Sequence, residues 1–172
     1  MNRQLILIAL MGCFTASAFA APAWETDFKR AAKKADRKDR YMLLDFTGSD
    51  WCGWCIKLNN EVFNKSDFKD YARKNLILVE IDFPRKTKQK KSLKEQNADL
   101  ALRYGVRGYP TIIILAPDGT FVAKTGYKRG GAEKYVAHLE KLIDKYENEP
   151  YEDGDDEDRE KERDDNREGS GK

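Results

Sequence analysis

Tyr41-Met42-Leu43-Leu44-Asp45-Phe46-Thr47-Gly48-Ser49-Asp50-Trp51-Cys52-Gly53-Trp54-Cys55 passes from an apolar run broken only by Asp45, through four turn-forming residues, to two cysteines two residues apart. The run Tyr41 to Phe46 predicts a buried strand, and Thr47 to Asp50 supplies turn chemistry and candidate helix caps. A helix is predicted from near Cys52 through Ile56, Leu58 and Asn59 towards Val62. The strand thus delivers both thiols to the opening of a helix.

Upstream, Trp24, Phe28, Ala31, Ala32 and Ala35 recur at helical spacing among charged residues, which predicts an amphipathic helix from Trp24 to about Lys38. Downstream, a short helical piece spans Ser66 to Lys74 around Phe68 and Tyr71, and Leu76 to Asp82 suits a strand buried on both faces. Residues 85 to 95 are crowded with lysine and read as a surface loop or frayed helix start, before a helical pattern resumes from Ser92 to Tyr104. Gly105 to Tyr109 carries turn residues, Pro110 follows, and Thr111 to Leu115 is strongly β-branched. Ala116-Pro117-Asp118-Gly119 has a β-turn signature that joins this strand to Phe121–Lys124 as a hairpin. Ala132, Tyr135, Val136, Leu139, Leu142, Ile143 and Tyr146 share one face of a final helix, leaving Glu133, Lys134, His138 and Lys141 towards solvent. This order predicts an α/β fold, a central mixed sheet flanked by helices with a terminal antiparallel hairpin.

The 172 residues suffice for one domain but not for two with separate cores. Apolar residues make up 40% of the chain, enough for a core, while the charged fraction of 36% exceeds the ordinary level of about 25% and belongs to solvated faces and tails. The net charge of +2 is unevenly spread: from Glu147 onward there are 13 acids against 5 bases, leaving about +9 on residues 21–146. Those bases cluster in one lysine-rich loop without interleaved aromatics, which argues against nucleic acid as a partner. The lysines also suit acidic partners or the chain's own tail, although a solvated loop explains them as well. Asp153 to Asp158 lacks the ligand spacing and glycine of a calcium loop.

Residues 1–20 read as a signal peptide, with Arg3 as positive start, Leu5 to Phe14 as apolar run, and Ala18-Phe19-Ala20 as cleavage site. The run is shorter than the roughly 20 residues a bilayer demands, so no stable membrane span is expected. Leu10-Met11-Gly12-Cys13 resembles a bacterial lipoprotein box, but Met11 departs from the usual small residue, so cleavage near Ala20 and loss of Cys13 is the preferred outcome. The expected organisation is a leader at 1–20, a folded domain at 21–146 and a disordered acidic tail at 147–172. The mature protein would be periplasmic or secreted, where the remaining Cys52 and Cys55 can persist as a disulfide.

A helix N-terminus favours a thiolate and lowers its pKa from about 8.5. Cys52, nearer that end, is therefore the candidate nucleophile, and Cys55, one turn on, the candidate resolving thiol that releases a mixed disulfide. As a staple the pair would close too small a loop to remove much unfolded-chain entropy. As a zinc site it lacks ligands, since only the distant His138 could join it.

Trp51-Cys52-Gly53-Trp54-Cys55 after Leu44-Asp45-Phe46, together with Gly108-Tyr109-Pro110-Thr111, resembles the thioredoxin family over roughly residues 24–146. The resemblance implies a thioredoxin-like fold with an extra N-terminal helix, and a cis Pro110 whose loop faces the disulfide so that Tyr109 can pair with an extended substrate. It also implies a buried acid that takes the proton of the resolving thiol, at Asp45. Six residues separate Asp45 from Cys52 where the family pattern has five, so Asp50 competes for that role. Trp54 stands where proline is usual, which leaves the potential open. Trp51 and Trp54 are candidates for an apolar rim around a substrate peptide, Trp51 equally for packing beneath the loop.

Glu61-Val62-Phe63 followed by Phe68 is similar to exported thioredoxin-like proteins and to the C-terminal domain of membrane thiol:disulfide interchange proteins, which suggests electron donation in an oxidising compartment. The expected function is a disulfide reductase acting on cysteine-containing protein substrates, supplied by an upstream thiol electron donor, expected as a monomer and needing no cofactor beyond its dithiol. An oxidase or isomerase, and a non-catalytic client-binding module, are the alternatives.

Overall fold

The computed structural model describes residues 22–148, so the leader with Cys13 and nearly all of the acidic segment lie outside the described residues. A two-residue strand β1 (Trp24–Glu25) precedes helix α1 (Phe28–Lys38). Trp24 therefore does not belong to the first helix as expected. Its spacing to Phe28 mimics a helical turn, but Asp27 caps the helix with a carboxylate that accepts from the Arg30 amide, which places the start after the strand.

Strand β2 (Tyr41–Thr47) leads to helix α2 (Gly53–Leu58), a π-helical turn (Asn59–Phe63) and helix α3 (Ser66–Asn75). Strand β3 (Leu76–Asp82), helix α4 (Lys91–Arg103), the hairpin β4 (Thr111–Leu115) and β5 (Phe121–Thr125), and helix α5 (Gly131–Asn148) follow. The hairpin turn is the one its sequence predicts: Asp118 accepts from the Thr120 amide, and Gly119 adopts a φ of 93°. Helix α5 reaches Asn148, so residues 147 and 148, assigned to the tail on composition, are helical.

The sheet runs β1-β3-β2-β4-β5, with β3 parallel to β1 and β2, and β4 antiparallel to β2 and β5. Alternation along the strands divides the core. Leu43, Leu78, Ile112 and Ile114 pack against α2, α3 and α5 through Leu58, Phe68, Tyr135 and Leu139. Met42, Leu44, Phe46, Val79 and Ile113 pack on the other face against α1 and α4 through Ala31, Ala35 and Leu100. Both faces are covered, which is why the central strands read as continuous apolar runs. Asp45 lies on the Leu43 face, beneath the helix that carries the cysteines. Among the described residues no helix is long and apolar enough to cross a membrane.

Candidate active site

The carboxyl ends of β2 and β3 lie side by side and fix the loop that precedes the cysteines. Ser49 donates to Asp82 from both its amide (2.9 Å) and its hydroxyl (2.6 Å), and the Phe83 amide donates to Thr47 O. Gly48 allows the Trp51 ring to lie against the backbone, since a Cβ there would sit 2.5 Å from the indole. Trp51 Nε1 donates to Phe83 O at 2.8 Å, and the Arg85 guanidinium stacks 3.7 Å above its ring. Trp51 is thus anchored between two loops, whereas Trp54 is 52% exposed.

Cys52 and Cys55 form a disulfide with Cα atoms 5.3 Å apart. Cys52 is the cap of α2 rather than its first turn, with extended backbone angles, and its amide donates to Gly48 O at 2.8 Å. The Cys55 amide donates to Cys52 Sγ at 3.2 Å. That donor faces the sulfur that would carry charge in the reduced protein, which is the local form of the helix-terminus effect. Both cysteines are nearly buried, Cys52 at 6% and Cys55 at 4% exposure.

Around them stand aromatic rings. Tyr109 meets the rings of Trp51 and Phe83 with centroids 5.7 and 5.3 Å away, and the Tyr109–Pro110 peptide is cis, as the resemblance implied. Thr111 Oγ1 donates to Gly108 O and closes that turn, while Thr111 pairs with Phe46 at the end of β2 that leads to the cysteines. Trp54 packs against Tyr127 at 5.2 Å, Lys57 lies over both rings, and Tyr127 donates to Glu61 at 2.6 Å. Tyr127 was missed in the sequence because it sits in a loop after β5, with no periodicity to mark it.

The two acids considered for the proton have different surroundings. Asp50 accepts from the backbone amides of Arg85, Lys86 and Thr87 at 2.7 to 3.1 Å. The Arg85 amide, with its neighbours, holds the Asp50 carboxyl below its usual range. Asp50 is a loop clamp. Asp45 is 8% exposed, and its Oδ1 is buried without a hydrogen-bond partner. Burial first, then the charges of Glu80 and Asp82, pushes its pKa up to about 8. A cavity of about 470 Å³ is lined by Asp45, Cys55 and Glu80 together with Trp24, Asn59 and Asn64. Glu80, overlooked within the apolar run of β3, carried the signal that marked Asp45: an acid in the middle of a buried strand.

The family model for the thioredoxin-like domain matches residues 28–143. The disulfide bond reductase DsbH of Chlamydia pneumoniae is 33% identical over 120 residues, covering 70% of this chain and 72% of that protein. The solved structure of a DsbH oxidoreductase aligns with a TM-score of 0.70 at 30% identity, covering 84% of this chain and 95% of the other. A thioredoxin from Thermus thermophilus, at 19% identity and a TM-score of 0.55, covers 73% of this chain with 90% of its own and shares the fold.

Proposed function

We propose a direction, a setting and a division of labour for a chain that belongs to the thioredoxin-like family, has its fold, and is a thiol-disulfide oxidoreductase: it reduces disulfides of exported proteins. The observation that carries this reading is the placement of Cys52 at the cap of α2 with the Cys55 amide on its sulfur. Cys52 attacks the substrate disulfide as thiolate, and Cys55 resolves the mixed disulfide. Asp45, raised in pKa and sharing a cavity with Cys55, accepts the Cys55 proton at near-neutral pH. The Tyr109–Pro110 loop and the exposed Trp54 receive the substrate segment, with Trp51 as its fixed wall.

The reducing direction is supported by similarity to a protein named a disulfide bond reductase. The setting, periplasmic or secreted, is supported by the leader at 1–20, with 21–146 as the catalytic unit working as a monomer and 147–172 as its acidic extension. An upstream dithiol protein returns electrons to the pair. Insulin reduction with a thiol donor tests the activity, and Cys52→Ser is expected to abolish it. Equilibration with glutathione tests the direction: a potential near the roughly −270 mV of thioredoxin is expected, and one near the −120 mV of a dedicated oxidant would transfer the chain to oxidase duty. Client binding that persists in a double Cys→Ser variant, with no turnover in the wild type, would favour a binding module instead.

A further inference from the structure

The parallel register of β2 and β3 sets Asp45 beside Glu80. Both side chains leave the sheet on the face that packs α2, α3 and α5, where Leu43 and Leu78 precede them by two residues. Both line the cavity that Cys55 also lines, and that cavity reaches the surface at the exposed Ser49, Asn59 and Asn64. The other titratable groups facing the pair are Asp82 on β3, whose carboxylate holds Ser49, and Tyr135 on α5, whose hydroxyl donates to Gly126 O. Among the described residues neither Asp45 nor Glu80 has a salt-bridge cation.

Two adjacent carboxyl groups without a counter-charge resist ionising together, so their titrations are coupled. We propose that Glu80 is the positioning residue of the resolving step, sharing one proton with Asp45 and passing it between Asp45 and solvent through the cavity. The inference rests on the assignment of Asp45 to that step. Cys55 gives its proton to Asp45, its sulfur attacks Cys52 Sγ, the Cys52–substrate bond breaks, and the substrate sulfur leaves with the electron pair and is protonated by water. The proton on Asp45 moves to Glu80 and out. The dithiol loses two electrons and the substrate disulfide gains them. Burial, then the charge of Asp82, also holds the Glu80 carboxyl above its usual range.

The test is the pH profile of single-turnover disulfide exchange between about pH 5 and pH 9 in the full chain. Glu80→Gln is expected to lower the apparent pKa of the resolving step by about one unit, because the charge opposing Asp45 ionisation is gone. Glu80→Asp is expected to keep the wild-type profile, and Asp45→Asn to erase the titration, with or without Glu80→Gln. A Glu80→Gln profile that superimposes on wild type while Asp45→Asn erases the titration overturns the role of Glu80 and leaves that of Asp45 standing. An unchanged Asp45→Asn profile overturns both. Infrared difference spectra supply a reading independent of turnover: a protonated-carboxyl band at pH 7 that both Asp45→Asn and Glu80→Gln alter supports sharing, and a band insensitive to Glu80→Gln overturns it.

Discussion

Asp45 destabilises the strand that carries it, and this makes its presence informative. Its pKa of about 8 stands far above the ordinary 3.8, chiefly because burial opposes the charged form. Between those values the unfolded chain has released a proton that the folded chain retains, so stability falls as pH rises, by about 1.4 kcal/mol per pH unit for this group. The contribution is intact below about pH 4 and is lost as pH rises through about 8. Asp45→Asn is therefore expected to leave the melting temperature nearly unchanged at pH 4 and to raise it progressively towards pH 8, while slowing exchange. Thermal melts across that range check the sign. At the sulfurs, Cys55→Ser is expected to accumulate a mixed disulfide between Cys52 and substrate, visible by non-reducing electrophoresis and mass mapping. The residues proposed for this chemistry were readable because cysteine pairs and buried acids are rare where they stand. The sequence favoured Asp45 over Asp50 but could not dismiss Asp50, since only the fold shows that Asp50 is occupied by the amides of residues 85 to 87.

Between β2 and α2 the short loop is defined by close packing. Gly48→Ala would drive a methyl group into the Trp51 ring and is expected to cost about 1 to 3 kcal/mol, with altered tryptophan fluorescence as the ring leaves Phe83 O. The π-helical turn has a similar structural task, since it carries Phe63 into a ring cluster with Trp24, Phe68 and Tyr135 at centroid separations of 5.2, 4.8 and 6.1 Å. Phe63→Ala is expected to destabilise by about 3 to 5 kcal/mol in chemical denaturation. Helix α5, by its long apolar periodicity, and β4, by its β-branched run, were legible in the sequence. β1 was not, because a two-residue strand has no period and is defined only by pairing of Trp24 with Leu78 and of Glu25 with Val79. The π-helical turn was absorbed into one predicted helix for the opposite reason: its side chains continue the apolar pattern while only the backbone hydrogen bonds change.

Across the whole molecule, a mixed sheet with helices on both faces brings the ends of β2, β3 and β4 to one edge, and the cysteines, the acids and the Pro110 loop meet there. That meeting depends on the strand order, which local sequence patterns do not encode. The proposed reducing direction couples stability to redox state: a dithiol with a reducing potential is one whose oxidised fold is favoured, so the disulfide form is expected to melt above the dithiol form. Under the proposed function, this arrangement keeps the Cys52 sulfur ionised and within reach. The direct measurement is the pH dependence of alkylation of the fully reduced chain, mapped by mass spectrometry. Modification confined to Cys52, with an apparent pKa clearly below the ordinary value of about 8.5, is the expected result. A Cys52 that stays unmodified, or that titrates as a free thiol while Cys55 reacts first, would contradict it.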